Sequence, residues 1–149
     1  MKCSELPSRL AIDSSVVLTY LLGESLADLV EECILFSDRE VYLPSTALAE
    51  IYYVTCRLRG REVAQRLNRA LKDSETVEIV HGLDEVAGEL KYDRAISLAD
   101  CYVIALARTM DAAAVFAKRE KELVREMERV PFDVNLLFLE DLGEDMLTH

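Results

Sequence analysis

Arg9-Leu10-Ala11-Ile12-Asp13-Ser14-Ser15-Val16-Val17-Leu18 is the stretch that decides how the rest of the chain is read. A short apolar run, Leu10 to Ile12, closes on the carboxylate of Asp13. Two hydroxyls follow, Ser14 and Ser15, and then an apolar helical segment that Gly23 ends. A strand handing over to a helix at a polar junction opens a parallel α/β unit. In such folds ligands bind beyond the carboxyl ends of the strands. Asp13 is therefore expected at the mouth of a site.

Outward from this junction, Glu24 to Phe36 carries Leu26, Leu29, Val30, Cys33 and Ile34 at helical spacing. Val41 to Leu43 reads as a second strand bounded by Pro44. Ser45 or Thr46 is the expected cap of a helix over about 47–58, which stops before Gly60. A helix over 61–72 turns Val63, Leu67, Ala70 and Leu71 inward. Thr76 to Val80 is a weaker third strand, because Glu75 and Glu78 are polar. Helices are predicted over 82–92 and, opened by Ser97, over 98–109. A fourth strand spans 112–116, a charged helix 118–129 and a fifth strand 134–139. Residues 143–149 are expected to form a loose tail. Strands alternating with helices predict an α/β domain, with a central parallel sheet of four to five strands covered on both faces. No internal repeat or low-complexity segment interrupts it.

With 149 residues, 51% of them hydrophobic, the chain is long and apolar enough to bury one core. No apolar run reaches the roughly 20 residues a membrane-spanning helix needs. Met1 to Arg9 lacks the apolar centre of a signal peptide, so the expected location is the cytoplasm. Cys3, Cys33, Cys56 and Cys101 form no CxxC pair, which argues against a zinc ribbon or a redox motif. Three of them fall in apolar helical patterns and read as small core residues, with a disulfide the minor alternative. The net charge of −11 opposes a non-specific coat for nucleic acid. It also makes acidic residues common, so only a carboxylate that breaks an apolar pattern is informative.

Four carboxylates come forward on that criterion. Glu50 lies among Ala47, Ile51 and Val54 on its helix, where an unpartnered charge costs several kcal/mol; the bland reading is an acid favoured by the helix N-terminus. Asp100 sits between Ala99 and Cys101 in an apolar helix, and Ser97-x-x-Asp100 also matches a capping box. Asp13 caps the helix that follows it or serves a site, with Ser15 placed to orient its carboxylate. Glu120 follows the fourth strand inside the charged run Lys118 to Glu122, and there the solvated reading is the stronger. Carboxylates on separate elements, each near a strand end or helix start, suit a hard cation such as Mg²⁺ or Mn²⁺. Such an ion activates water and stabilises the leaving oxygen of a phosphodiester. Two histidines and no Gly-x-Ser-x-Gly elbow make a serine hydrolase a poor reading. No glycine-rich phosphate loop of either common type is present.

The order of these motifs resembles the PIN-domain ribonucleases, particularly the VapC-type toxins of prokaryotic toxin–antitoxin pairs. Ala11-Ile12-Asp13-Ser14-Ser15-Val16-Val17-Leu18 matches the opening strand, aspartate, hydroxyls and helix. Leu43-Pro44-Ser45-Thr46-Ala47-Leu48-Ala49-Glu50 matches the glutamate after the second strand, and Leu98-Ala99-Asp100-Cys101-Tyr102 the third motif. The fourth motif departs: Lys118-Arg119-Glu120 stands where the family has Thr or Ser, any residue, then Asp. The resemblance implies a single PIN-like domain, a three-layer α/β/α sandwich with its core at about 9–140. It implies a Mg²⁺- or Mn²⁺-dependent endoribonuclease with Asp13, Glu50 and Asp100 as metal ligands and Glu120 assisting. It further implies an RNA substrate, a small antitoxin partner and a homodimer. Arg57, Arg59 and Arg61, followed by Arg66, Arg69 and Lys72, form a path for the RNA backbone or a solvated helical face. The altered fourth motif leaves a second reading: a PIN fold kept as an RNA- or protein-binding scaffold.

Overall fold

The computed structural model describes residues 3–147, with side chains through residue 143. Five strands, β1 (Arg9–Ile12), β2 (Glu40–Pro44), β3 (Val77–Val80), β4 (Ala113–Phe116) and β5 (Leu136–Phe138), form one sheet in the order β3-β2-β1-β4-β5. Every neighbouring pair is parallel. A parallel strand needs a crossover to reach its neighbour, and the helices supply it: α1 (Ser14–Leu21), α2 (Ala27–Val30), α3 (Ala47–Arg59), α4 (Arg61–Lys72), α5 (Asp84–Asp93), α6 (Leu98–Met110), α7 (Lys121–Arg129) and α8 (Leu139–Leu147).

Side-chain alternation along each strand divides the core into two. Leu10 and Ile12, Val41 and Leu43, and Val115 pack with α1, α2, α3 and α8 on one face. Ala11, Tyr42, Ala114 and Phe116 pack with α5, α6 and α7 on the other. The result is the three-layer α/β/α sandwich. The three central strands are apolar almost throughout because both faces are covered. β3 lies at a sheet edge, which is why it tolerates the exposed Glu78.

Four expectations are corrected. First, the segment over 24–36 is not one α-helix. α2 is followed by a wide π-type turn, Glu31–Leu35, whose closing bond runs from the Phe36 amide to the Glu31 carbonyl (2.9 Å). The apolar positions read from the spacing still point inward, Leu29, Val30, Cys33 and Ile34 all being buried. Second, Cys33 is not simply a core residue. It is joined to Cys3 by a disulfide with Cα atoms 5.4 Å apart. Arg39 braces the junction by donating to the carbonyls of Cys3 (2.6 Å) and Cys33 (3.1 Å). Third, Thr46 occupies the cap position of α3 but makes no side-chain capping bond.

Fourth, Gly143 does not start a loose tail. It lies within α8, which docks through the buried Leu139 and Leu142. A Cβ at Gly143 would stand 2.5 Å from Leu26 Cδ2, so glycine here permits close helix packing instead of ending the helix. Residues 148–149 of the expected tail lie outside the described residues. No helix among the described residues is long and apolar enough to cross a membrane.

Candidate active site

β1 is where the strand order changes direction, with β2 on one side and β4 on the other. Crevices at such points, beyond the strand C-termini, are natural ligand sites. Asp13 occupies this one. Its amide donates to the Val115 carbonyl of β4 (2.9 Å), which fixes the residue between the two strands. Its backbone is extended and its side chain caps α1 by accepting from the Ser15 amide (3.2 Å). Capping and site placement are therefore both realised in one residue.

The two serines after Asp13 have different duties. Ser15 Oγ donates to Asp13 Oδ2 (2.6 Å) and accepts from the Ala117 amide just beyond β4 (3.1 Å). One hydroxyl thus ties the loop after β1 to the loop after β4 and aims the Asp13 carboxylate. Ser14 Oγ donates to Glu50 Oε2 (2.7 Å), holding the glutamate that the first turn of α3 delivers. Glu50 is half-buried and faces the same cleft as Asp13.

Asp100 enters from the other face of the sheet on the first turn of α6. Ser97 Oγ accepts from its amide (3.1 Å), one half of the predicted capping box. Asp100 as a residue is only 3% exposed. One oxygen, Oδ2, is buried without a hydrogen-bond partner. Burial pushes the Asp100 carboxyl up to about 8, and a hydrogen bond to Glu120 and the charges of Glu120 and Asp13 add to the rise. Burial also raises Asp13 above its ordinary value; the Ser15 hydrogen bonds oppose this, and Glu50 and Glu120 reinforce it. Glu120 is exposed and stands at the cap position of α7 without making a capping bond.

The structure therefore brings together all four carboxylates singled out in the sequence. It does not bring the arginines to them. Arg57 and Arg59 lie in the last turn of α3, roughly 10 Å or more along the helix from Glu50 at 1.5 Å per residue. Arg57 rests over the Tyr53 ring, 5.0 Å from its centroid. Arg61 opens α4 beyond them, and all three are exposed.

The cleft measures about 310 Å³ and has a second wall that sequence reading missed. Besides Asp13 and Glu50 it is lined by Pro44, Thr46, Ala47, Leu98, Ala99, Tyr102 and Val103. Sequence carried no signal for it: Leu98 and Tyr102 are four apart on an otherwise apolar helix, and only the fold leaves Leu98 50% exposed. Ser14 was missed as well, because a hydroxyl beside a capping aspartate has no distinctive spacing.

An acidic centre of this kind suits a hard cation. Its donors are all oxygen, two of its carboxyls are held above their ordinary range by burial and by like charge, and Asp100 Oδ2 lacks a partner. Among the described residues no three such side chains are drawn into a ready-made cage.

Comparison with known proteins agrees with the fold. The PIN domain model matches residues 10–126. No curated protein sequence matches the chain. Among solved structures, the sarcin-ricin loop cleaving toxin VapC20 of Mycobacterium tuberculosis is similar, with TM-score 0.63 and 19% identity over 78% of this chain and 94% of that one. VapBC-1 of nontypeable Haemophilus influenzae has TM-score 0.60 and 17% identity over 89% of this chain and 98% of that one. VapBC2 of Rickettsia felis, bound to a DNA fragment from the promoter, has TM-score 0.59 and 18% identity over 87% and 98%.

Proposed function

This chain belongs to the PIN domain family, and on that premise we propose that it is a divalent-metal-dependent endoribonuclease, the toxin of a type II toxin–antitoxin pair. The observation that carries this reading is the convergence on Asp13 of three acids from separate elements at the C-terminal edge of the sheet: Glu50 lines the same cleft, and Asp100 and Glu120 act on Asp13 and on each other through their charges. Similar folds in a sarcin-ricin loop cleaving toxin and in toxin–antitoxin complexes support the substrate class and the antitoxin partner. A cytoplasmic homodimer belongs to the same reading.

In this mechanism Asp13, Glu50 and Asp100 would hold Mg²⁺ or Mn²⁺, with Glu120 assisting. When bound there, such an ion would supply Lewis-acid polarisation of the phosphodiester and a more acidic water. The chain's own groups do the positioning. Ser15 fixes the orientation of Asp13, and Ser14 fixes that of Glu50, so neither carboxylate has to be ordered when substrate arrives. Burial of Asp13 and Asp100 removes competing solvent and strengthens their hold on a cation. Arg57, Arg59 and Arg61 offer exposed positive charge at the far end of α3 and the start of α4, where they would guide the RNA backbone.

The test is cleavage of RNA by the purified chain with Mn²⁺ and with chelator, alongside Asp13→Asn. Mn²⁺-dependent cleavage that Asp13→Asn abolishes is expected. Equal cleavage by the variant would overturn the mechanism. The exposure of Glu120 and the Lys118-Arg119-Glu120 departure favour one second reading, a scaffold that binds without cutting. It predicts no heat of Mn²⁺ binding at millimolar ion.

A further inference from the structure

The cleft has two chemically different walls, and only the acidic one is used by the reaction just described. The apolar one is formed chiefly by Leu98, Ala99, Tyr102 and Val103 on α6, with Pro44 at the end of β2 and Thr46 and Ala47 at the start of α3 completing the lining. Leu98 and Tyr102, one helical turn apart, project from the same side of α6. The residues around them, Cys101 and Val103 to Ala107, are buried in the core. Leu98 alone among the large apolar residues of α6 is left half-exposed, and it is left so inside the cleft that Asp13 and Glu50 also line.

We propose that this apolar wall is a subsite for one unpaired nucleobase adjacent to the scissile phosphate, with Tyr102 as the stacking platform and Leu98 as the edge that closes over the base. The inference rests on the ribonuclease reading and adds to it two residues of this chain, Tyr102 and Leu98, that would take a base. A phosphate held at the carboxylates carries a base on either side. That base must leave its helix to enter a cleft of this size, whose volume sits at the lower end of small-ligand sites. RNA-binding proteins take splayed-out bases by stacking them on aromatic rings, and the energy involved tolerates any base identity. The wall offers no charged side chain that would discriminate between base edges. Thr46 is the one aliphatic hydroxyl lining the cleft beside it, so the stacking energy outweighs any reading of the base edge.

The test uses two short RNAs that differ only in whether the nucleotide beside the cut carries its base. Cleavage is measured with Mn²⁺, and equilibrium binding with Ca²⁺ in its place, for the wild type, Leu98→Ala, Tyr102→Ala and Tyr102→Phe. Removing the base should weaken the wild type about 10- to 100-fold, chiefly in KM and Kd. Tyr102→Ala should show the same loss on the intact RNA and no further loss on the abasic one. Tyr102→Phe, which keeps the ring, should restore most of the base dependence. Leu98→Ala removes a half-exposed side chain and so tests the wall with little burden on folding. Equal handling of both RNAs by the wild type overturns the subsite and leaves the wall to a side chain of a protein partner. Base-dependent binding without cleavage would keep the subsite and sink the nuclease reading. Cleavage without base dependence would do the reverse.

Discussion

Replacing Asp100 by Asn isolates the cost of one buried charge. Without a divalent ion, the folded chain keeps a proton on Asp100 until about pH 8, whereas the unfolded chain releases it near 3.8. Across that window the folded state binds more protons than the unfolded state, so stability falls as pH rises. Below pH 3.8 both states are protonated and the group costs nothing. Above about pH 8 both are ionised and the full cost is present. At about 1.4 kcal/mol per pKa unit the ceiling is about 6 kcal/mol. Glu120 is exposed and free to turn its carboxylate into solvent, which relieves part of the repulsion. We therefore expect Asp100→Asn to recover about 2 kcal/mol at pH 8.5, a rise in Tm of about 4–8 °C for a chain of this length. The assay is thermal and urea unfolding of both proteins in chelator from pH 4 to 9. The two should converge near pH 4 and separate steadily above it. Mn²⁺ should stabilise the wild type and close the gap, since an ion that binds only the folded state adds to its stability. An Asn variant no more stable than the wild type at pH 8.5, or a difference that does not vary with pH, would refute the reasoning.

Three other outcomes are expected. Asp13→Asn should weaken Mn²⁺ binding at least tenfold by calorimetry, because it removes the carboxylate that Ser15 holds in place; unchanged affinity would move the ion elsewhere. Reduction of the Cys3–Cys33 disulfide, which spans 30 residues, should cost about 3–4 kcal/mol in urea unfolding, and thiol titration of the denatured, unreduced chain should count two free cysteines, Cys56 and Cys101. Arg119 donates to Asp141 Oδ2 (2.8 Å) and its amide to Glu140 Oε1 (2.6 Å), clasping the loop before Glu120 to α8. Arg119→Ala should cost less than about 1 kcal/mol of stability, as an exposed pair does, yet lower RNA cleavage more than stability; an unfolding loss of several kcal/mol would show that the clasp serves folding instead.

Much of the architecture was legible in the chain. The apolar runs of β1, β2 and β4 predict those strands because burial on two faces leaves no room for polar residues, and the spacing of Leu29, Val30, Cys33 and Ile34 predicts which side chains are buried although not the π-type turn that carries two of them. Asp13, Glu50 and Asp100 were visible for the same reason: a carboxylate inside an apolar pattern must be explained. The misses have equally local causes. Gly143 looks like the start of a loose tail because sequence does not reveal that Leu26 presses against it. Cys33 looks like core because its partner, Cys3, is 30 residues away and carries no spacing signal.

Taken alone, the sequence determined the alternation of strand and helix and which acids stand out of pattern, since both follow from periodicity and from the cost of burying charge. Only the tertiary structure decided that these acids meet. Glu50 comes from α3 on one face of the sheet and Asp100 from α6 on the other, and the strand order that places both beside Asp13 is set by crossovers no local window contains. It also decided the apolar wall of Leu98 and Tyr102, because a half-exposed leucine acquires meaning only when a cleft is seen beneath it.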